Sequence, residues 1–174
     1  MISDYTFSVK HTSMEHPIKV VVFDLDFTLW DAGGVWCDCT HPPFHRAPTG
    51  QVYDSVGREI RLYEESLDIL ERMQSRGMQI ALASRTSEPG WANQLTRMLG
   101  IDPYVNYREI YPGSKISHLS NIRRDAGVDF SEMLFFDDEH RNIEEASSIG
   151  VRSIHVPNGV HQALVQDALE QLAV

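Results

Sequence analysis

Residues 18–30 read Ile18-Lys19-Val20-Val21-Val22-Phe23-Asp24-Leu25-Asp26-Phe27-Thr28-Leu29-Trp30. From Val20 to Phe23 every position is apolar and mostly β-branched, the pattern of a strand covered on both faces inside a parallel sheet. Two aspartates and a threonine follow its end. In open α/β sheets ligands bind beyond the carboxyl ends of the strands, so Asp24, Asp26 and Thr28 fall where chemistry is expected. Asp and Thr serve equally well as turn and capping residues, and this stretch alone leaves both readings open.

Outward from this strand, residues 30–56 carry the turn formers Gly33-Gly34, Pro42-Pro43, Pro48 and Gly50. They predict a long loop over the strand's carboxyl end, with Trp36, Phe44 and Tyr53 as anchors, and long loops in compact chains tend to be functional. Ile60, Leu62, Leu67, Ile69, Leu70 and Met73 predict a helix over 60–76, closed by Gly77. Residues 78–83 form a second apolar strand, ending at Ser84-Arg85-Thr86. A helix then starts at Glu88-Pro89 and stops before Gly100, and 104–110 is extended. Ser114 makes an N-cap that places Lys115 in the first turn of the next helix. Residues 133–136 are a third apolar strand with Asp137-Asp138 at its end, followed by a helix over 141–149, a strand over 151–156 and a last helix over 161–172. Alternating strands and helices predict an α/β fold, a Rossmann-like doubly wound parallel sheet with right-handed crossovers and helices on both faces. Residues 1–16 read as an irregular arm and 17–174 as a single domain.

Composition narrows the function. The chain has 174 residues, 42% of them hydrophobic, enough for one core. A formal net charge of −10 argues against nucleic acid as a partner, because that contact is made by excess Lys and Arg. No apolar run approaches the roughly 20 residues that span a bilayer, and the N-terminus lacks a signal pattern. The sequence therefore reads as soluble and cytoplasmic, with no membrane partner. Its oligomeric state is left open. Cys37 and Cys39 lie too close together for a redox or zinc pair; His41 and His45 nearby suggest a metal clip, but only the His pair has zinc-ligand spacing, and two free thiols are the expectation.

Four polar groups sit at strand ends or just after one: Asp24 with Asp26 and Thr28, Ser84, Lys115, and Asp137 with Asp138. Each has an ordinary alternative, since Ser84 suits a cap, Lys115 a solvated surface and Asp137-Asp138 a helix N-terminus. In a doubly wound sheet, however, such ends converge on one crevice. Carboxylates gathered there repel one another by about 1–4 kcal/mol per pair at about 4 Å. A hard cation is the natural remedy, and few carboxylates with water and phosphate favour Mg²⁺. Phosphoryl transfer follows. An Asp nucleophile forms an aspartyl-phosphate, Lys115 and the metal offset charge on the transferring oxygens, Ser84 holds another, and Asp26 moves the proton.

Asp24-Leu25-Asp26-Phe27-Thr28, Ser84, Lys115 and Asp137-Asp138 match in order and strand context the four motifs of the haloacid dehalogenase-like (HAD-like) hydrolase superfamily. Phe23 to Trp30, Pro42-Pro43-Phe44, Ala83-Ser84-Arg85-Thr86 and Phe135-Phe136-Asp137-Asp138-Glu139 with Arg141-Asn142 more closely resemble the magnesium-dependent phosphatase 1 family, over residues 17–157. The resemblance implies a HAD-like core with no large cap domain. It implies Asp24 as nucleophile and Asp26 as acid/base and backbone-carbonyl metal ligand. Thr28, Ser84, Arg85 and Lys115 would serve phosphate or substrate. The metal ligands would be Asp24, Asp26 and the 137–138 pair, with Asp138 favoured over Asp137 for direct coordination. The implied substrates are aryl phosphates and phosphotyrosine, making a protein tyrosine phosphatase, or sugar phosphates. Departures from the family pattern lie in Gly33-Gly34, Cys37-x-Cys39 and the N-terminal arm. Two other functions compete: a metal-free dehalogenase, against which Asp26 and the Asp137-Asp138 pair speak, and a receiver-like module that takes up phosphate once to signal. Receivers accept phosphate on a later strand than the first, whereas here the nucleophile candidate follows the first.

Overall fold

The computed structural model describes residues 18–171, so the arm expected over 1–16 and position 172 of the helix expected over 161–172 lie outside the described residues. In chain order the elements are β1 (Val20–Phe23), β2 (Trp30–Asp31), β3 (His45–Arg46), β4 (Val52–Tyr53), β5 (Glu59–Leu62), α1 (Ser66–Ser75), β6 (Gln79–Ser84), α2 (Pro89–Met98), β7 (Tyr107–Ile110), α3 (Lys115–Ala126), β8 (Met133–Asp137), α4 (His140–Ser148), β9 (Arg152–His155) and α5 (Gln162–Glu170).

Five parallel strands form the main sheet in the order β7-β6-β1-β8-β9. The chain runs outward from β1 through β6 to β7, then returns to β8 on the other side of β1. That reversal opens a crevice between β1 and β8 at their carboxyl ends, the switch point where ligands bind in this architecture. Register carries Asp24 to one wall and Asp137 to the other: Phe23 pairs with Phe136, and the Asp24 N–H donates to the Phe136 carbonyl at 3.0 Å.

Strand alternation sends side chains to two separate cores. Val21, Phe23, Ile80, Leu82, Leu134 and Phe136 pack with apolar residues of α1, α2 and α5. Val20, Val22, Ala81, Ala83, Met133 and Phe135 pack with Leu119 and Ile122 of α3 and Ala146 of α4. Phe23 and Phe136 stack at 5.3 Å between ring centroids. Each is fully buried, an environment that stabilises a large side chain by roughly 1.5–3 kcal/mol. Since each immediately precedes an aspartate of the crevice, packing fixes where those carboxylates start.

Two expectations are corrected between residues 30 and 66. The predicted long loop contains β2, β3 and β4, and the predicted helix over 60–76 begins only at Ser66, because Glu59–Leu62 is a strand. Ile60 is buried while Arg61 is exposed, a period of two that belongs to a strand. These strands form an antiparallel sheet in the order β2-β5-β4-β3, held by pairs such as Trp30↔Leu62 and Val52↔Ile60. At its turn the buried Asp54 carboxylate accepts from the N–H groups of His41 (3.1 Å), Val56 (3.1 Å) and Arg58 (2.8 Å). Trp30, Cys37, Phe44, Val52 and Ile60 belong to the same core as α1, α2 and α5. The insertion therefore packs into the same core as the main sheet, and no large cap domain is present among the described residues. Of the three expected aromatic anchors, Phe44 is buried, Tyr53 is half-buried and Trp36 is exposed.

Candidate active site

Asp24 begins immediately beyond β1, Ser84 ends β6, Lys115 opens α3, and Asp137 ends β8. Ser114 caps α3 as expected, its hydroxyl accepting from the Ser117 N–H. That cap turns the chain so that Lys115 enters the crevice from its first helical residue. The Lys115 side chain is fully buried. Its ammonium lies 2.7 Å from Asp24 Oδ1 and 3.2 Å from Asp137 Oδ2, and it also donates to the Ala83 carbonyl. Burial opposes its charge, but the two carboxylates outweigh this and raise the Lys115 pKa, keeping it an ammonium.

Asp24 and Asp26 are two residues apart yet answer to different partners. Asp24 is held by Lys115, while burial, Asp137 and Asp26 push its carboxyl upward against that cation. Asp26 Oδ1 accepts from the Trp30 indole N–H at 2.7 Å and the Cys37 backbone N–H at 2.9 Å. Burial raises its pKa to about 6, and those two hydrogen bonds hold it from rising further. Immediately after Asp26 the chain passes through Phe27, the one non-glycine residue with positive φ (57°) among the described residues. A left-handed conformation costs roughly 1–2 kcal/mol for a side-chain-bearing residue, and such strain collects at functional sites.

On the other wall, Asp137 is fully buried. Its oxygens both accept from Asn142 Nδ2 at 3.0 Å, and Oδ1 also takes the Glu139 N–H at 2.8 Å. Asp138 is half-buried and faces the pocket. Burial, then the neighbouring Asp137, raises its pKa to about 7. The pocket, about 220 Å³, is lined by Asp24, Asp26, Ser84, Arg85, Asp138 and Asn142, with Trp36, Asp38 and Arg141 among the others.

Asp24, Asp137 and Asp138 each offer an oxygen within 4.8 Å of the others, the one cluster of this kind among the described residues. The donors are all hard carboxylate oxygens, and against three carboxylates Lys115 supplies one positive charge. Both facts fit a small divalent cation such as Mg²⁺. Cys37 and Cys39 are free thiols, the first buried and the second exposed, and burial drives the Cys37 thiol strongly upward.

The sequence profile of the Acid Phosphatase family matches residues 16–173. The chain belongs to the acid phosphatase family. Magnesium-dependent phosphatase 1 of Homo sapiens is 47% identical over 157 residues, covering 89% of this chain and 87% of that protein. A HAD-like hydrolase superfamily protein of Schizosaccharomyces pombe is 36% identical over 152 residues, covering 80% and 85%. Among solved structures, an uncharacterized protein from Listeria monocytogenes superposes with a TM-score of 0.66 at 17% identity over 89% of this chain and 98% of that one. A HAD family enzyme from Bacteroides thetaiotaomicron, an aspartate-to-alanine mutant in complex with magnesium and inorganic phosphate, gives 0.62 at 14% identity over 86% and 98%. These structural likenesses establish the HAD-like fold.

Within this acid phosphatase family fold, the structure brings together all but one of the candidate residues. Asp24, Asp26, Ser84, Arg85 and Asp138 line the pocket, with Lys115 and Asp137 buried against Asp24. Thr28 is the exception. It is fully buried, does not line the pocket, and its Oγ1 has no hydrogen-bond partner among the described residues. The chain turns back at Phe27 and carries the threonine inward, away from the pocket. Sequence reasoning missed Trp30 and the Cys37 N–H as partners of Asp26, and Asn142 as the partner of Asp137. Only Asn142 left a signal, lying five residues beyond Asp137 at the start of the following helix.

Proposed function

We propose that this chain, a magnesium-dependent phosphatase by family, hydrolyses phosphomonoesters through an aspartyl-phosphate on Asp24. The observation that carries this reading is the pair of adjacent carboxylates with separate partners, Asp24 on Lys115 and Asp26 on Trp30 and Cys37. Neighbouring acids held in different environments are how one site supplies both a nucleophile and a proton donor.

Asp24 attacks phosphorus, and the bond from phosphorus to the leaving oxygen breaks. Asp26 gives its proton to that oxygen, so the alcohol or phenol departs neutral. Asp26, now a carboxylate, takes a proton from water as the water oxygen attacks the phosphorus of the aspartyl-phosphate. Inorganic phosphate leaves and Asp24 is restored. Lys115 holds Asp24 in position and offsets the developing charge, and Ser84 and Arg85 line the pocket to receive the remaining oxygens. A bound Mg²⁺ supplies further positive charge at the transferring oxygens; Asp24, Asp138, Asp137 and the Asp26 carbonyl would hold it, with Asp138 favoured for direct contact because Asp137 is already committed to Asn142, Glu139 and Lys115. Without a large cap the pocket is open, with Trp36 54% exposed at its side. This suits a phosphotyrosine side chain or other aryl phosphate, as in a protein tyrosine phosphatase, or a sugar phosphate. Free Cys37 and Cys39 fit a reducing compartment such as the cytoplasm.

The test is hydrolysis of a generic aryl phosphate with and without Mg²⁺. EDTA should abolish turnover, and Asp24→Asn should lower kcat on the order of 10³-fold or more. Asp26→Ala should cost about 10²–10⁴-fold with poor leaving groups and much less with good ones. An active Asp24→Asn enzyme removes the covalent mechanism, and an equal loss across leaving groups removes the acid role of Asp26. One phosphoryl group taken up per chain without turnover would make it a receiver-like module.

A further inference from the structure

The first N–H groups of an α-helix have no partner within the helix. Ser114 satisfies one of those of α3 through Ser117. The N–H of Lys115 is satisfied from a different element: Glu145 on α4 accepts it through Oε2 at 2.7 Å. The other oxygen of the same carboxylate, Oε1, accepts from Arg85 Nη1 at 3.2 Å. One side chain thus holds the backbone of the buried lysine and the guanidinium of the pocket arginine.

Glu145 lies three residues after Asn142, on the same face of α4. Asn142 Oδ1 accepts from the same Arg85 nitrogen at 2.9 Å, while its Nδ2 reaches both oxygens of Asp137. Arg85 is therefore fixed from two points on α4. Lys115 is fixed at its backbone by Glu145 and at its ammonium by Asp24 and Asp137. We propose that Glu145 is a positioning residue for phosphoryl transfer, setting Lys115 and Arg85 in register with each other. It rests on the chemistry proposed above, and Glu145 itself touches neither Asp24 nor Asp26 in any hydrogen bond among the described residues.

A plain structural role makes a different prediction. A partly exposed Arg–Glu pair that serves the fold alone adds little to stability and leaves turnover unchanged. A group that orients another group in the site acts on the step in which geometry matters. Positioning partners of this kind typically change activity by about 10–100-fold, and misplacement by about 1 Å costs on the order of 10²-fold.

The experiment compares Glu145→Ala and Glu145→Gln with the wild type on an aryl phosphate in Mg²⁺, with thermal unfolding of each. Gln keeps an oxygen for the Lys115 N–H and loses the charge facing Arg85. Glu145→Ala should lower kcat by about 10-fold or more while KM moves less than about 3-fold, because Lys115 counts most where charge develops in the transition state. Glu145→Gln should recover most of that loss. If both variants match the wild type in kcat and KM, with only a shift in Tm, the positioning role is overturned. A drop in kcat equal in both variants overturns the part assigned to the Lys115 N–H, since Gln preserves that acceptor. A wild type inert toward aryl phosphate, by contrast, overturns the proposed function and this inference with it.

Discussion

His118, one turn after Lys115 on α3, is fully buried, with Nε2 3.0 Å from the Tyr111 carbonyl and its ring edge-on to Tyr111 at 4.5 Å. A carbonyl only accepts, so Nε2 carries the proton, and Nδ1 is left buried without a partner among the described residues. Burial and then the Lys115 charge lower its pKa from 6.5 to about 4. Because the folded pKa is the lower one, the unfolded chain takes up a proton that the folded chain refuses. His118 therefore leaves stability untouched above 6.5 and removes it progressively as the pH falls toward 4, by at most about 3 kcal/mol. Between about pH 7.5 and about pH 4.5, urea unfolding should show a smaller loss of stability for His118→Gln than for the wild type, the carboxylates being common to both; equal losses would contradict it. At this scale the sequence was informative where chemistry repeats a motif. Asp24, Asp26, Ser84, Lys115 and the 137–138 pair could be picked out because carboxylates and a lysine at strand ends have few structural reasons to be there. Thr28 could not be judged, since a hydroxyl two residues past Asp26 faces the crevice or the core according to the backbone at Phe27. The hydrogen bonds from Trp30 and the Cys37 N–H were equally hidden, because they depend on how the insertion folds back.

Among the elements, α3 shows how a local signal becomes a functional position. Ser114 is a strong N-cap, and its hydroxyl accepts from Ser117, so the helix starts where Lys115 must enter the crevice. Ser114→Ala should lower stability by about 0.5–2 kcal/mol, read as the urea midpoint, and Ser114→Gly by only a few tenths. If alanine were no worse than glycine, Glu145 and not Ser114 would be the cap that matters. The strands of the main sheet were legible for a similar reason: β1, β6 and β8 are apolar runs buried on both faces. The β2–β5 sheet was not. Its strands β2, β3 and β4 are two residues long, His45 and Arg46 are exposed on both faces, and pairs such as Trp30↔Leu62 join residues far apart in sequence. Ile60 and Leu62 merged into the helical pattern of α1 because the alternation across Glu59–Leu62 is one period too short to stand apart.

Across the whole molecule, the cores on the two faces of the sheet are complete without the crevice, whereas the crevice gathers Asp24, Asp26, Asp137 and Asp138 around one buried lysine on a chain of net charge −10. Folding and metal binding are thus separable. Removing Mg²⁺ should leave the fold intact and end turnover. Adding it should raise Tm, because an ion that binds the folded chain stabilises it by RT ln(1 + [L]/Kd), about 2.7 kcal/mol at 100 times Kd. Asp138 is the proposed ligand whose removal tests the site most cleanly. It is half-buried in the pocket, burial and Asp137 raise its pKa to about 7, and Lys115 only partly offsets them. Asp138→Asn removes one negative charge without opening a cavity, so the variant should be as stable as the wild type in EDTA or slightly more so. In Mg²⁺ the gain in Tm should shrink or vanish, since the ion loses an anionic oxygen. Asp137→Asn should behave differently. Its carboxylate also accepts from Lys115, Asn142 and the Glu139 N–H, and an amide there turns an N–H group toward one of those donors, leaving buried polar groups unpaired at a cost of about 1–3 kcal/mol although Asp24 still faces Lys115. That loss should appear in EDTA as well as in Mg²⁺. A Mg²⁺-dependent rise in Tm that survives in Asp138→Asn at wild-type size would place the stabilising ion away from this cluster.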